Sequence, residues 1–168
     1  MNHQWSKIVM GVALLVTLVS CQDTRLSMSS WKTYQNPRYG FEFPYPSDWI
    51  AQPIPSNLNG QAFLGTDQSR LQLRGWAEEN LNAARLLSSK LEKPVSQQNF
   101  TTKQGITGRL KVEIGSQLSS IELVIDDGAL EYHLQGQATS DQFADYYRFF
   151  HYVASHYRIR EEVTVNQE

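Results

Sequence analysis

Apolar and polar residues alternate with a repeat of two in several segments of the chain between Trp31 and Arg160. Phe41, Phe43 and Tyr45 show the pattern, since their rings fall on one side of an extended segment and the residues between them on the other. Such alternation predicts strands that are buried on one face only. The segments predicted to be strands are residues 31–34, 41–45, 61–66, 70–77, 105–114, 118–125 and 129–138.

Two segments instead repeat their apolar residues every three or four positions, which is typical of amphipathic helices. Residues 80–93 form the first predicted helix, with Asn80 as a candidate N-cap and Pro94 as its end. The second covers residues 141–157 and has an aromatic stripe wide enough for burial against a sheet. Between the last two predicted strands, Asp127-Gly128 is typical of a tight β-hairpin.

The order of these elements predicts a single domain of the α/β class. Strands precede a helix, then antiparallel strands precede a second helix, and a sheet of this kind needs cover on both of its apolar surfaces. We therefore expect an antiparallel or mixed sheet with helices covering its faces. A chain of 168 residues is long enough to bury one sizeable core.

The N-terminal segment predicts export and lipid attachment. Residues 8–18 form an apolar run too short to span a bilayer, which needs about 20 residues, and they suit the apolar region of a secretory signal peptide. Leu18-Val19-Ser20-Cys21 resembles the lipobox of bacterial lipoproteins. The resemblance implies a signal peptide at 1–20, a lipidated Cys21 and a tether through residue 30. The alternative is an ordinary cleaved signal followed by an incidental cysteine.

Composition and charge exclude several classes of function. The chain has 15 Lys and Arg against 17 Asp and Glu, so it lacks the basic character of nucleic-acid binders. One cysteine excludes an internal disulfide framework and multi-cysteine metal motifs. The sequence contains neither a Gly-x-Ser-x-Gly elbow nor a phosphate-binding P-loop. We therefore predict no catalytic residue, no cofactor and no small-molecule substrate.

The one group of metal-ligating residue types surrounds the predicted hairpin. Glu131 and His133 are two residues apart on a strand and share a face, and Asp126 and Asp127 lie in the adjoining turn. These four residues are candidates for a weak divalent-metal site or a contact with a partner. The favoured interpretation is a polar sheet face that ends in a solvated turn, because too few ligands at fixed spacing are present to select a metal.

The segment 34–49 is similar to the opening of PsbP-like domains, which begin with an aromatic residue, then Gly-Phe or Gly-Tyr, alternating apolar residues and a Pro-x-x-Trp turn. The residues that match in kind and spacing are Tyr34, Gly40, Phe41, Phe43, Pro46 and Trp49. The aromatic closing helix after a hairpin strand also fits that family. The resemblance implies an α/β/α sandwich and a non-catalytic extrinsic subunit or assembly factor of photosystem II. Cyanobacterial members are often lipoproteins on the lumenal side of the thylakoid membrane.

Taken together, these observations predict a PsbP-like domain at residues 31–160, followed by a polar tail at 161–168. Its expected function is that of a membrane-tethered accessory or assembly factor that docks on photosystem II or a related thylakoid complex. Its expected partners are membrane lipid, through the acylated Cys21, and a protein complex. An envelope lipoprotein of the same fold with a non-photosynthetic partner is the alternative, on the periplasmic face of the cell envelope. An enzyme or a carrier of a small ligand is the least favoured interpretation.

Overall fold

Two antiparallel sheets and one helix form the part of the chain that the structure describes, in a computed structural model covering residues 30–66, 70–80 and 96–160. In chain order the elements are β1 (Trp31–Gln35), β2 (Phe41–Pro46), β3 (Ile50–Ala51), β4 (Gly60–Leu64), β5 (Gln72–Glu79), β6 (Ser96–Thr101), β7 (Thr107–Ile114), β8 (Leu118–Asp126), β9 (Leu130–Thr139), α1 (Phe143–Ser155) and β10 (Arg158–Ile159). The large sheet has the order β3-β4-β5-β9-β8-β7-β6, and the small sheet has the order β1-β2-β10. All of their neighbouring strands are antiparallel.

The core lies against one face of the large sheet, which we call the inner face. In β9 the inner-face residues Tyr132, Leu134 and Ala138 are all buried. The helix α1 packs over β8 and β9 on this face. The small sheet covers the neighbouring area, where the ring of Phe41 meets Tyr132 edge-on with 6.2 Å between centroids. One helix and one small sheet therefore share the layer that covers the inner face.

Two glycines on the inner face make room for the aromatic rings of that layer. A Cβ added to Gly136 in β9 would lie 2.7 Å from Cε1 of Phe150, a buried residue of α1. A Cβ added to Gly75 in β5 would lie 3.0 Å from Cδ1 of Phe43, a buried residue of β2. Carbon atoms in ordinary contact are about 3.5–4.0 Å apart. The spaces above Gly136 and Gly75 therefore fix where the helix and the small sheet pack on the large sheet.

The small sheet joins the two ends of the domain. Asn36 closes the turn between β1 and β2, because its Oδ1 accepts hydrogen bonds from the backbone N–H groups of Arg38 (3.0 Å) and Tyr39 (2.7 Å). β10, which follows α1, then pairs with β2 through Arg158 opposite Glu42. The chain after the helix is thus tied back to the strand that opened the domain.

The structure corrects the predicted fold class, and the α/β/α sandwich with helices covering the sheet is wrong. Of the described residues, 54% are in strands and 12% are in a helix, and that helix is the single one among them. The physical reason is that strands β1, β2 and β10 cover part of the inner face, where we expected helical cover. The helix predicted at 80–93 lies outside the described residues, apart from Asn80.

Several local predictions are confirmed. Asp127 and Gly128 form the turn between β8 and β9, with Oδ1 of Asp127 accepting the backbone N–H of Leu130 at 2.7 Å. The closing helix exists and covers Phe143–Ser155, two residues shorter at each end than predicted. The polar strand β6 was not predicted.

Among the described residues, no helix has both the length and the apolar composition needed to cross a membrane.

Candidate functional site

The candidate site lies on the outer face of the large sheet, opposite the core. The alternation in β9 that turns Tyr132 and Leu134 inward turns Glu131 and His133 outward. The antiparallel pairing of β9 with β5 then places Glu78 directly opposite Glu131 and Trp76 directly opposite His133. Side chains that are directly opposite in such a pair project from the same face and lie within contact distance.

His133 is held on one ring face and on one edge. Its imidazole lies parallel to the indole of Trp76, with 4.5 Å between ring centroids and 1° between their planes. The guanidinium of Arg74 covers the indole ring at 4.5 Å from its centroid. On its edge, Nδ1 of His133 lies 3.0 Å from Oε1 of Glu122 in β8. Only 8% of the residue is exposed, so the ring is fixed in orientation as well as in position.

The charge on Glu122 determines which nitrogen of His133 carries a proton. Burial by itself would raise the pKa of the Glu122 carboxyl. The hydrogen bond from His133, with Lys111 nearby, outweighs burial and holds that pKa below its usual range. Glu122 is therefore a carboxylate at neutral pH and can only accept, so Nδ1 of His133 donates.

The other ring nitrogen faces the carboxylate of Glu78. Nε2 of His133 lies 3.5 Å from Oε1 of Glu78, and it is a buried atom with no hydrogen-bond partner among the described residues. Ligand atoms of Glu78, Glu131 and His133 all lie within 4.8 Å of one another. Arg109 in β7 approaches Glu131, with 3.9 Å between Nη2 and Oε1. The arrangement places one imidazole nitrogen and two carboxylates around a common point.

The four residues predicted from the sequence separate into two pairs. Glu131 and His133 belong to the cluster. Oδ1 of Asp126 instead accepts the backbone N–H of Gly128 at 2.8 Å and the side-chain amide of Asn80 at 2.8 Å. Asp127 caps the same turn, so these two carboxylates stabilise the hairpin.

Sequence reasoning missed Glu78, Glu122 and Trp76 as members of the site. Glu78 lay one residue beyond the predicted end of its strand at Ala77, and the alternation gave no information on which strand pairs with which. Only the register, which places Glu78 opposite Glu131, brings the two carboxylates together. A local sequence signal for this pairing does not exist, because more than fifty residues separate the two positions.

A second polar concavity lies on the exposed side of α1. It is an open cleft of about 430 Å³ lined by Lys103, Tyr147, Arg148, His151, Tyr152, Ser155 and His156. Nζ of Lys103 lies 2.9 Å from Nε2 of His156, and the ring of Tyr152 lies against the same imidazole at 3.9 Å between centroids. Several polar groups of this cleft thus contact one another.

Comparison with known proteins identifies the fold. No protein-family model matches the chain, and no curated protein matches its sequence. Among solved structures, the solution structure of cyanobacterial PsbP (CyanoP) from Synechocystis sp. PCC 6803 is similar, with a TM-score of 0.57 and 15% sequence identity over 85% of this chain and 99% of that one. A crystal structure from Bacteroides thetaiotaomicron VPI-5482 has a TM-score of 0.41 and 16% identity over 73% of this chain and 46% of that one. The chain has a PsbP-like fold.

The outer-face cluster of Glu78, Glu131 and His133 brings together residue types that bind cations. Within the described part of the chain, the groups that approach the two nitrogens of His133 are the carboxylates of Glu122 and Glu78. Imidazole and carboxylate groups are both ligands for divalent cations.

Proposed function

We propose that this protein is a non-catalytic accessory or assembly factor, tethered to a membrane through Cys21, that docks on photosystem II or a related thylakoid complex. The observation that carries the proposal is the likeness to cyanobacterial PsbP, which extends over 99% of that chain. The resemblance of residues 18–21 to a lipobox comes from a separate part of the sequence and supports the same location at a membrane.

The tether contributes to docking by raising the local concentration of the domain. Two or three acyl chains on Cys21 would anchor the protein stably, since each buried methylene contributes about 0.8 kcal/mol. Residues 22–30 could reach roughly 30 Å when fully extended. The domain would therefore remain close to the bilayer surface, and a modest protein–protein affinity would suffice for occupancy of a partner in the same membrane.

Native gel electrophoresis of the source membranes tests the proposal. The membranes are solubilised gently, and the protein is detected beside a core subunit of photosystem II. We expect it to migrate with the core or with an assembly intermediate. Migration alone, or with an unrelated envelope complex, would contradict docking on photosystem II, and the second result would favour an envelope lipoprotein of the same fold.

A Cys21→Ser variant separates the tether from the docking surface. It has nearly the same size and cannot form the thioether. We expect the variant to lose incorporation of labelled palmitate and to leave the membrane in a carbonate wash, whereas the wild-type protein stays. An unmodified wild-type protein would contradict the tether. If the variant still binds isolated core complexes, recognition resides in the domain.

A further inference from the structure

We propose that Glu78, Glu131 and His133 on the outer face form a binding site for a divalent first-row transition cation such as Zn²⁺, with Glu122 as the residue that orients the imidazole. Nothing in this inference depends on membrane tethering or on docking. It rests on a buried imidazole nitrogen that lacks a hydrogen-bond partner in the described part of the chain and belongs to a group with two carboxylates.

The protonation of His133 prepares Nε2 to act as a ligand. Because Nδ1 donates to Glu122 at 3.0 Å, the neutral ring has its lone pair on Nε2. That lone pair faces Oε1 of Glu78 at 3.5 Å. Two electron-rich atoms repel each other at this distance unless a proton or a metal cation lies between them. A carboxylate–histidine–metal arrangement satisfies both nitrogens, and such a carboxylate partner is the usual companion of a metal-binding histidine.

The distances favour a metal ion over a second proton on the ring. A charge-assisted N–H···O⁻ hydrogen bond is about 2.7–2.9 Å long, whereas Nε2 and Oε1 of Glu78 are 3.5 Å apart. Around a tetrahedral Zn²⁺ with bonds of about 2.1 Å, neighbouring ligand atoms are about 3.4 Å apart. The Glu78–His133 separation therefore matches one edge of a coordination tetrahedron.

Glu131 completes the protein ligands after a small movement. The three ligand atoms lie within 4.8 Å of one another, so the longest edge has to close by at most about 1.4 Å to reach tetrahedral spacing. Arg109 approaches Glu131 at 3.9 Å with a side chain that is 47% exposed, and it can withdraw into solvent as the cation takes its place. One imidazole and two carboxylates leave a fourth position for water, as in sites built from three protein ligands.

The sheet makes the site rigid before an ion binds. Glu131 and His133 are adjacent outward positions of β9, and Glu78 is the cross-strand partner of Glu131 in β5. Trp76 stacks on the imidazole and prevents its rotation. A mixture of one nitrogen and two oxygen ligands suits Zn²⁺ and related transition cations better than Ca²⁺ or Mg²⁺, which prefer oxygen ligands alone.

The test is isothermal titration of ZnCl₂ into the full chain in detergent after treatment with a chelator. We expect one Zn²⁺ per chain and a loss of affinity of at least tenfold in Glu78→Gln, whose side chain is 47% exposed and not needed for the core. His133→Gln should lose at least as much. In Glu122→Gln, where only the orienting carboxylate changes, we expect roughly a tenfold loss.

Two matched controls exclude binding to surface carboxylates or exposed histidines. Glu113→Gln changes an exposed carboxylate of β7 outside the cluster, and His156→Gln removes an imidazole of the cleft beside α1. Both should bind Zn²⁺ as tightly as the wild-type protein. Equal affinity in wild type and Glu78→Gln, no saturable binding, or a loss in His156→Gln equal to that in Glu78→Gln would each overturn the proposal.

Discussion

Gly136→Ala tests whether the position of helix α1 depends on the absence of a side chain at Gly136 in the large sheet. The added Cβ would lie 2.7 Å from Cε1 of Phe150 and still closer to two other ring atoms. Phe150 is 2% exposed, so its ring cannot turn out into solvent without leaving the core. Overpacking of this kind lowers the free energy of unfolding by about 1–3 kcal/mol. The lower conformational entropy of the unfolded chain with Ala raises it by about 0.4–1 kcal/mol. We expect a net loss of roughly 1–2 kcal/mol in the free energy of unfolding.

The assay is urea denaturation followed by far-UV circular dichroism, combined with a double-mutant cycle. Thermal unfolding should show a midpoint lower by roughly 2–8 °C for a domain of this size. In a Phe150→Leu background the ring is gone, so the cost of Gly136→Ala should fall below about 0.5 kcal/mol. If the two substitutions were additive, Phe150 would not occupy the space above Gly136 and the reasoning would be refuted.

Three further predictions concern the buried polar groups of the small sheet and its surroundings. The hydroxyl of Tyr157 is buried and has no hydrogen-bond partner within residues 30–66, 70–80 and 96–160, so Tyr157→Phe should leave the free energy of unfolding unchanged or raise it by up to about 1 kcal/mol. The matched control is Tyr34→Phe, which removes an acceptor of the Asn36 amide at 3.1 Å. It should lower the free energy of unfolding by about 0.5–1.5 kcal/mol. A larger loss in Tyr157→Phe than in this control would show that the Tyr157 hydroxyl has a hydrogen-bond partner. Burial, and then the Tyr132 and Tyr34 phenols, raise the pKa of Tyr157 well above its usual range. Its contribution to stability is therefore complete below about pH 10, where the unfolded tyrosine ionises, and is lost as the pH rises beyond that value. Urea midpoints at increasing alkaline pH should fall less steeply in Tyr157→Phe than in wild type. Asn36→Ala removes the acceptor of two backbone N–H groups in the β1–β2 turn and should cost roughly 2–3 kcal/mol, measured by the same denaturation assay, with an intermediate loss in Asn36→Asp.

Local chemistry determined how much of the fold could be predicted. The hairpin at Asp127-Gly128 and the helix Phe143–Ser155 depend on neighbouring residues, and both patterns were visible in the sequence. The strand β6 (Ser96–Thr101) was not, because it is an edge strand of mostly exposed polar residues that lacks apolar alternation. The fold class was wrong for a different reason. β10 pairs with β2 across more than a hundred residues, and the local alternation of apolar and polar residues does not indicate a second sheet.

The candidate site shows the same division between local and long-range information. Glu131 and His133 share a face because residues two apart in a strand always do, and this much was predicted. Glu78 and Glu122 reach the histidine only through the order β5-β9-β8 and through the register of each pair. A sequence can therefore identify candidate site residues within one strand, whereas the cluster forms only when three adjacent strands are paired.

The burial of His133 separates the two interpretations that the sequence left open for this face. A polar sheet face ending in a solvated turn accounts well for Asp126 and Asp127, whose carboxylates accept backbone N–H groups of the turn. It does not account for an imidazole that is 8% exposed with an unpartnered Nε2. A solvated histidine would satisfy that nitrogen with water, and a purely structural one would be expected to donate to a carboxylate at hydrogen-bond distance. A cation between Nε2 and Glu78 satisfies the nitrogen, both carboxylates and the fixed orientation imposed by Glu122 at once.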